Sequence, residues 1–435
     1  MNSRNILLFF ILVLFAVSAY SLTTRIKVRE ETPFNGVGLG GDGAGSYHGA
    51  NILLISVDCM RKDHIGFYGY ARNTTPVIDE LAESSTVFMR AYSHAPWTHP
   101  SLSSLHTGLH PLQHGVTGWN HVLSENLTTL AEVLQSNGYH TEAYVSHLLL
   151  ESRYGYPQGF DYYDESVMEI GHPHHVSTSR ELTDTVINRS SGWGSPFFVW
   201  VHYFDPHFRY MRHEEFDYGR ASIDRYDSEI SYTDYHIGRL LDNLRDMGLY
   251  DKTIIIVMAD HGEEFGEHGG NLHKKLYNEI INIPLIMRVP GVEHKVVDES
   301  VVESDLMPTL IKLVGANASL DLYGVAMPLT DGGFVPEGRA VYSETRRYID
   351  SMSIIDGESK LVINNTRRGT SLELFNLTAD PGELSNIASR RDSRALAERL
   401  QQKLIDFYSE PAGDVVSLEL SKQQLKMLKD LGYVD

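Results

Sequence analysis

Two short apolar runs, each ending on a carboxylate, constrain the fold of this chain most strongly. The first reads Asn51-Ile-Leu-Leu-Ile-Ser-Val-Asp58, and the second reads Ile254-Ile-Ile-Val-Met-Ala-Asp260 with His261 next. Both runs are continuous rather than alternating and rich in branched residues, which is typical of parallel strands buried on both faces. Each strand would deliver a ligand-type residue to its C-terminal end. The pattern therefore predicts an α/β protein.

The rest of the pattern predicts a mostly parallel central sheet flanked by helices, followed by a small antiparallel part. We expect helices near 75–84, 127–137, 178–191, 228–247 and 307–314, a helix that begins near Thr98, and strands at 197–201 and 284–288. From about residue 339 short alternating strands follow, at 340–343, 351–355, 360–364 and 371–375, and then helices at 393–408 and 423–433. A chain of 435 residues with 42% hydrophobic content can bury a large core. We therefore expect a main domain over 50–335 and a C-terminal antiparallel α+β subdomain over 336–435.

The N-terminal segment, 1–22, has the pattern of an export signal. Arg4 precedes an unbroken apolar run from Ile6 to Val17, and small residues follow. That run is short for a membrane span of about 20 residues, which is typical of a cleaved secretory signal. If the apolar segment is counted through Leu22, the alternative is an uncleaved membrane anchor. Both alternatives place the rest of the protein outside the cytoplasm.

Residues 23–49 include a glycine-rich stretch, which predicts a flexible tether rather than a phosphate loop because no Lys-Ser/Thr pair follows the glycines. Asn-x-Ser/Thr sequons, which suit an exterior location, occur at six positions: Asn73, Asn126, Asn188, Asn317, Asn364 and Asn376.

Charge and cysteine content exclude two classes of protein. The formal net charge of −20 argues against a nucleic-acid partner, because binding to phosphate backbones depends on lysine and arginine. Cys59 is the single cysteine, so an intramolecular disulfide cannot form. Its place after a buried strand favours an inert buried thiol over a reactive one.

The segment Trp97-Thr98-His99-Pro100-Ser101-Leu102, followed by Thr107-Gly108, carries a family resemblance. It is similar to the nucleophile segment of the sulfatase branch of the alkaline phosphatase superfamily, whose pattern is Cys/Ser-x-Pro-Ser-Arg followed by Thr-Gly. Thr98 replaces the oxidisable Cys or Ser, and Leu102 replaces the Arg. A threonine cannot become formylglycine. The resemblance therefore implies the family's fold, but at this position it does not imply the family's sulfate-ester substrate.

Further segments resemble the family and follow its order along the chain. They are Asn51–Asp58, Lys62–Tyr70, Asp205-Pro206-His207, the metal motif Asp260-His261-Gly262, Leu276–Glu279 with Ile283–Leu285, and Leu374–Leu377 with Asp380–Glu383. Each segment is weak alone, but the ordered set is specific. The resemblance implies a sulfatase-like catalytic domain over 50–335.

The resemblance also implies a metal site. Asp58, Asp260 and His261 offer two carboxylates and an imidazole, and Thr98 offers a hydroxyl, so together they could hold one divalent ion (Ca, Mn, Zn or Mg). A coordinated hydroxyl becomes a nucleophile, and the helix start at Thr98 adds backbone N–H groups for anionic oxygens. The alternatives are turn or helix capping by the two aspartates and an N-cap role for Thr98.

Two histidines are the expected proton donors. In relatives a histidine follows Asp-Pro, and a Lys or His stands four residues before the Tyr of Leu-Tyr-x-Glu; here these are His207 and His273. Imidazoles can contact the transferred group and protonate the leaving alkoxide near neutral pH. Because the chain has 21 histidines, each could instead be structural. His268, His202, Lys274 and Asn120 are weaker candidates.

We therefore expect a metal-dependent hydrolase or transferase that acts on phosphate esters through a Thr98 nucleophile. The threonine variant is similar to phosphoglycerol and phosphoethanolamine transferases and to phosphodiesterases. A cell-surface glycan or a lipid head group is the expected substrate, with membrane association through the N-terminal segment. The alternatives are a true sulfatase, and a metal-binding domain that recognises glycans without turnover.

Overall fold

A computed structural model of the protein describes residues 47–169, 177–329, 335–336, 338–347, 349–366 and 369–430. The expected export segment 1–22, nearly all of the tether and residues 431–433 of the terminal helix lie outside this range. No helix in the described ranges has both the length and the apolar character to span a bilayer.

The described chain contains the following strands and helices. The strands are β1 Asn51–Val57, β2 Thr86–Phe88, β3 Ala91–Tyr92, β4 His121–Val122, β5 His140–Val145, β6 Tyr162–Asp164, β7 Phe197–Tyr203, β8 Thr253–Ala259, β9 Asn282–Ile283, β10 Leu285–Arg288, β11 Lys295–Val297, β12 Val301–Val302, β13 Val341–Thr345, β14 Asp350–Asp356, β15 Ser359–Thr366, β16 Gly369–Asn376 and β17 Val416–Ser417. The α-helices are α1 Pro76–Ala82, α2 Thr98–Thr107, α3 Pro111–His114, α4 Leu130–Ser136, α5 Ser179–Ser190, α6 Ser222–Asp246, α7 Asn278–Ile281, α8 Leu306–Val314, α9 Arg394–Tyr408 and α10 Lys422–Asp430.

The central sheet has eight strands in the order β11-β2-β10-β8-β1-β7-β5-β6. Strand β1 lies in its middle and pairs in parallel with both β7 and β8. Strand β10 is the exception to the parallel pattern, because it runs antiparallel to β8 and β2. Strands β1, β7 and β8 have seven residues each, and all of these residues are buried, as expected for strands covered on both faces. The expected α/β fold with a mostly parallel sheet is confirmed.

The C-terminal sheet is antiparallel and joins β13, β14, β15 and β16 in chain order. Helix α9 packs on one face of it through Leu400 and Leu404, which contact Ile354, Leu361 and Leu374 in one apolar cluster. The expected antiparallel part is therefore confirmed. The chain then returns to the central domain, where β17 pairs with β4 and Leu428 of α10 joins the main core.

Helix α6 begins at Ser222, six residues before the expected start at Ser228. Its first turn carries Asp224, whose carboxylate accepts the Ala221 N–H at 3.0 Å. The next turn buries Asp227, which accepts bonds from the side chains of Tyr70 and Arg72. Because buried polar residues occupy the inward face, the apolar periodicity did not extend to the true start of the helix.

Candidate active site

Asp58 and Asp260 lie side by side at the C-terminal edge of the central sheet. They follow β1 and β8, whose last residues, Val57 and Ala259, are paired partners. Both carboxylates are fully buried. Asp260 Oδ1 accepts the N–H groups of Cys59 at 3.3 Å and His261 at 2.8 Å, while its Oδ2 has no hydrogen-bond partner among the described residues. Neither oxygen of Asp58 has such a partner in the same range.

These contacts test the alternative that Asp58 and Asp260 serve only to cap a helix or stabilise a turn. Asp58 caps nothing, and Asp260 stabilises its turn with one oxygen and keeps the other directed into the cluster. Buried carboxylate oxygens are costly unless a hydrogen bond or a cation compensates them. Three uncompensated oxygens in one place therefore fit a cation site.

His261 completes a group of four donor atoms. Its Nδ1 donates to the carbonyl of Gly262 at 2.9 Å, because a carbonyl oxygen can only accept. Its Nε2 therefore presents a lone pair, which lies 3.4 Å from Asp58 Oδ1 and 3.4 Å from Asp260 Oδ2. Thr98 Oγ1 lies 3.3 Å from the same nitrogen.

The spacing of these donors fits a divalent cation. Ligands at tetrahedral positions are separated by about 1.6 times the metal–ligand bond, so bonds of about 2.1 Å place them about 3.4 Å apart. Octahedral neighbours at bonds of about 2.4 Å are also separated by about 3.4 Å. Asp58, Asp260, His261 and Thr98 could therefore hold either a zinc-like or a calcium-like ion.

Thr98 is the first residue of helix α2, and Trp97 occupies the N-cap position with an extended backbone. The Thr98 hydroxyl is thus not the N-cap group that the alternative required. Ser101 Oγ donates to the carbonyl of Asp260 at 2.8 Å and holds the helix against the end of β8. The first turn of α2 directs its N–H groups, and the positive end of the helix dipole, toward the place where an anion would meet Thr98.

Leu102 occupies the position of the motif arginine. It is fully buried and belongs to the main apolar core. The helix that carries Thr98 therefore contributes packing at this position and brings no positive charge to the site.

His207 and His273 lie near the group formed by Asp58, Asp260, His261 and Thr98. The His273 ring is 4.6 Å from the His261 ring and 5.2 Å from the His207 ring, measured between centres. His207 Nδ1 donates to the Phe208 carbonyl at 2.8 Å, so its Nε2 carries the lone pair. His273 Nδ1 faces Glu263 Oε1 at 3.4 Å and Cys59 Sγ at 3.6 Å.

The sequence reasoning missed His147 and undervalued His202. Asp58 Oδ2 lies 3.5 Å from His147 Nε2 and 3.8 Å from His202 Nε2. His147 Nδ1 accepts the Leu149 N–H at 2.9 Å, which places the proton of the neutral ring on Nε2. His147 follows the end of β5, a third central strand, and that position was the available signal.

Three triads of side chains bring ligand-type atoms within 4.8 Å of one another: Asp58 with Asp260 and His261, Asp58 with His147 and His207, and Cys59 with His261 and His273. The second triad offers a protonated Nε2 on His147, and the third offers a protonated Nδ1 on His261. Only the first of the three triads presents lone pairs throughout, so it fits a metal best.

Burial controls the ionisation of the site. It raises the pKa of Asp58 well above its usual value, and the neighbouring charge of Asp260 adds to this effect. Burial also lowers the pKa of His202 to about 4 and that of His273 well below its usual value. For Glu263 it raises the pKa to about 8. A bound cation would favour the charged carboxylates and stabilise neutral imidazoles as ligands.

Cys59 adopts a left-handed backbone conformation, with φ of 58°, in the turn after Asp58. Its side chain is buried, and burial raises the pKa of its thiol well above the usual value. The thiol is therefore protonated near neutral pH, in agreement with the inert role that the sequence favoured.

Two of the weaker candidates, His268 and Asn120, have contacts away from this cluster. His268 stacks on Tyr277 with ring centres 3.5 Å apart and faces Glu279 at 3.5 Å. The backbone carbonyl of Asn120 accepts the Leu418 N–H at 2.7 Å, next to the β4–β17 pair. Their observed contacts are structural.

Comparisons with known proteins agree with this architecture. Residues 50–316 match the family model described as Sulfatase, and residues 266–410 match the one described as N-sulphoglucosamine sulphohydrolase, C-terminal. A Delta 4,5-hexuronate-2-O-sulfatase of Bacteroides thetaiotaomicron is 24% identical over 88% of this chain and 94% of its own length. An ulvan-active sulfatase of Formosa agariphila is 24% identical over 60% of this chain, which spans only 61% of that relative.

Two solved structures show the same fold. The phosphonate monoester hydrolase of Agrobacterium radiobacter gives a TM-score of 0.72 at 21% identity, covering 86% of this chain and 98% of that chain. A protein in complex with its substrate D-glucosamine-2-N,6-O-disulfate gives a TM-score of 0.73 at 20% identity, covering 83% of this chain and 99% of that chain.

Proposed function

Because this chain belongs to the sulfatase family, we propose that it is a metal-dependent esterase that attacks phosphate esters through Thr98. One observation carries the proposal: the Thr98 hydroxyl lies 3.3 Å from His261 Nε2, at the point where Asp58 and Asp260 also converge. A divalent ion held by these four groups would lower the pKa of the hydroxyl and neutralise charge on the ester.

The side chains of the site support a two-step reaction. Thr98 Oγ1 forms a bond to phosphorus while the bond from phosphorus to the leaving oxygen breaks. The His207 Nε2 lone pair can accept the Thr98 proton and return it to the leaving alkoxide, and His273 lies beside it for the same work. Water, or an acceptor hydroxyl, then attacks phosphorus and gives its proton to the imidazole, the bond from phosphorus to Thr98 Oγ1 breaks, and that proton restores the threonine hydroxyl.

The identity of the nucleophile favours phosphate over sulfate. A formylglycine hydrate has a second hydroxyl through which it can expel sulfate, whereas a threonyl sulfate has no such exit. Sulfate transfer to Thr98 would therefore leave a slowly hydrolysed adduct. A true sulfatase is the second candidate, favoured by the names of the relatives and opposed by Thr98.

We also propose a class of substrate and a cellular location for the catalytic domain. We assign the substrate to anionic glycans or lipid head groups, since relatives carry names of enzymes that act on sulfated sugars. We place the catalytic domain outside the cytoplasm on the evidence of the apolar run Ile6–Val17 and the sequons. Protease digestion of intact cells tests the location, and a domain protected until lysis would contradict it.

The decisive assay compares an aryl phosphodiester, an aryl phosphomonoester and an aryl sulfate as substrates, with Ca, Mn, Zn or Mg supplied separately. We expect the phosphodiester or phosphomonoester to be turned over fastest and Thr98→Ala to lose orders of magnitude in kcat. Thr107→Ala is the matched control, because it removes a hydroxyl from the opposite end of the same helix. Faster turnover of the sulfate ester, or full activity in Thr98→Ala, would contradict the proposal. Absence of bound metal and of turnover on all three esters would instead support a non-catalytic domain.

A further inference from the structure

Buried carboxyl groups lie around the place where an anionic ester would meet Thr98. Asp58, Asp260 and Glu263 are all fully buried beside Thr98 or the histidines. A single divalent ion balances two carboxylates, and burial keeps the neighbouring imidazoles neutral. Leu102 brings no charge where the family motif has an arginine. A permanent cation that meets the substrate beside Thr98 would therefore come from an element other than helix α2.

The chain just after the first strand of the C-terminal sheet carries an arginine that lies near the start of helix α2. The first strand of that sheet, β13, is tied to the segment that precedes α2: Glu344 N–H donates to the His94 carbonyl at 2.8 Å, and Ser343 Oγ donates to the Ser93 carbonyl at 2.7 Å. Two residues beyond the end of β13, the Arg347 guanidinium lies 5.0 Å from the centre of the Trp97 ring.

That contact places Arg347 next to the nucleophile and the proton donor. Trp97 directly precedes Thr98 and caps its helix. Burial lowers the pKa of His273 most strongly, and the neighbouring charges of His261, His207 and Arg347 lower it further, so the guanidinium is within electrostatic reach of that imidazole. Arg347 is half-buried as a residue, and its Nε and Nη1 atoms are buried.

The preceding arginine has a different environment. Arg346 is exposed, and its guanidinium pairs with Glu344 at 3.2 Å. The two consecutive arginines therefore carry equal charge and lie close in sequence, but it is the Arg347 guanidinium that lies near the Trp97 ring and whose charge acts on His273. Arg346 is a matched control for any effect of charge alone.

We propose that Arg347 binds the anionic oxygens of the substrate ester beside Thr98, so that the C-terminal sheet supplies the cation that helix α2 lacks. The proposal rests on the proposed function. A guanidinium suits this role because its N–H groups match a phosphate in a bidentate geometry and it stays charged at all relevant pH values. Arg347 thereby selects esters whose reacting group carries negative charge.

The test measures binding without turnover. In a Thr98→Ala background loaded with the metal that supports wild-type activity, the Kd of inorganic phosphate is measured by calorimetry with Arg347 intact, with Arg347→Met and with Arg346→Met. We expect Arg347→Met to raise the Kd about 10- to 100-fold, as for loss of a charge-assisted hydrogen bond, and Arg346→Met to change it less than threefold. Arg347→Lys should recover part of the affinity, because charge returns without the bidentate geometry.

A kinetic arm in the otherwise wild-type enzyme separates this role from a structural one. Arg347→Met should raise KM for the anionic ester by a similar factor at an unchanged thermal midpoint. An unchanged Kd in Arg347→Met, or an equal change in Arg346→Met, would overturn the proposal. Turnover by Thr98→Ala would defeat the proposed function instead, so the two failures are distinguishable.

Discussion

Removing the Asp58 charge should abolish the stabilisation of this protein by metal without weakening the metal-free fold. Asp58 is fully buried, accepts no hydrogen bond among the described residues, and lies beside Asp260. Without a cation its charge is a cost, and a buried charged group left unsatisfied costs about 1–3 kcal/mol or more. Asp58→Asn removes that charge, so the metal-free variant should unfold at or above the wild-type temperature.

The expected effect of metal follows from linkage. At a free metal concentration 100 times the Kd, binding to the folded state adds about 2.7 kcal/mol. Unfolding entropy is about 2.1 cal/mol/K per residue, so the roughly 370 residues that the structure describes correspond to a gain of about 3–4 °C in Tm from that energy. The wild type should show this rise with the correct ion, and Asp58→Asn should show almost none.

Differential scanning fluorimetry or calorimetry after chelation, followed by titration with Ca, Mn, Zn and Mg, measures both quantities. Asp251→Asn is the matched control, because Asp251 lies just before the opposite end of β8 and its exposed carboxylate pairs with Arg288 at 2.7 Å. The control should keep the full metal-dependent rise. An equal rise in Asp58→Asn, or no rise in the wild type with any of the four ions, would refute the reasoning.

Two further predictions concern the fold and the proton donors. Lys360 and Glu383 form a fully buried pair at 2.7 Å, so Lys360→Met, which removes the positive partner of a buried carboxylate, should lower the free energy of unfolding by about 3–5 kcal/mol. Denaturant titration measures this loss, and the double variant with Glu383→Gln should recover most of it; no recovery would show that the pair is not the cause. His207→Gln and His273→Gln should reduce kcat by about 10²–10⁴ for an alkyl leaving group and much less for p-nitrophenolate, which leaves without a proton. Equal losses on both substrates, measured by steady-state kinetics, would rule out proton donation to the leaving group.

Much of the fold could be predicted because apolar runs specify buried strands directly. The two apolar runs that precede Asp58 and Asp260 form the buried strands β1 and β8, and the helix expected near Thr98 begins at that residue. The early start of α6 could not be predicted, because the inward face of its first turns is polar, with Asp227 and Ser228 buried. Polar burial removes the periodic signal on which a helix boundary depends.

The candidate site was predictable only where it follows strand ends or family motifs. Asp58, Asp260 and His261 come together because β1 and β8 are adjacent and parallel. His147 was missed because it is one of 21 histidines, and its contact with Asp58 depends on the sheet order that places β5 beside β7. Arg347 lies about 250 positions from Thr98 in the chain, so its position beside Trp97 depends on how β13 meets the central domain.

The most direct test of the central claim is the mass of the peptide that carries Thr98 after reaction. Protein is quenched with acid during turnover of an aryl phosphodiester and digested, and the peptide containing Thr98 is fragmented. We predict an added phosphoryl group, carrying the ester substituent that is not expelled, on Thr98 in the wild type and no adduct in Thr98→Ala. An adduct on another residue, or continued turnover with Thr98 unmodified at every quench time and equally fast in Thr98→Ala, would contradict the proposal that Thr98 is the nucleophile.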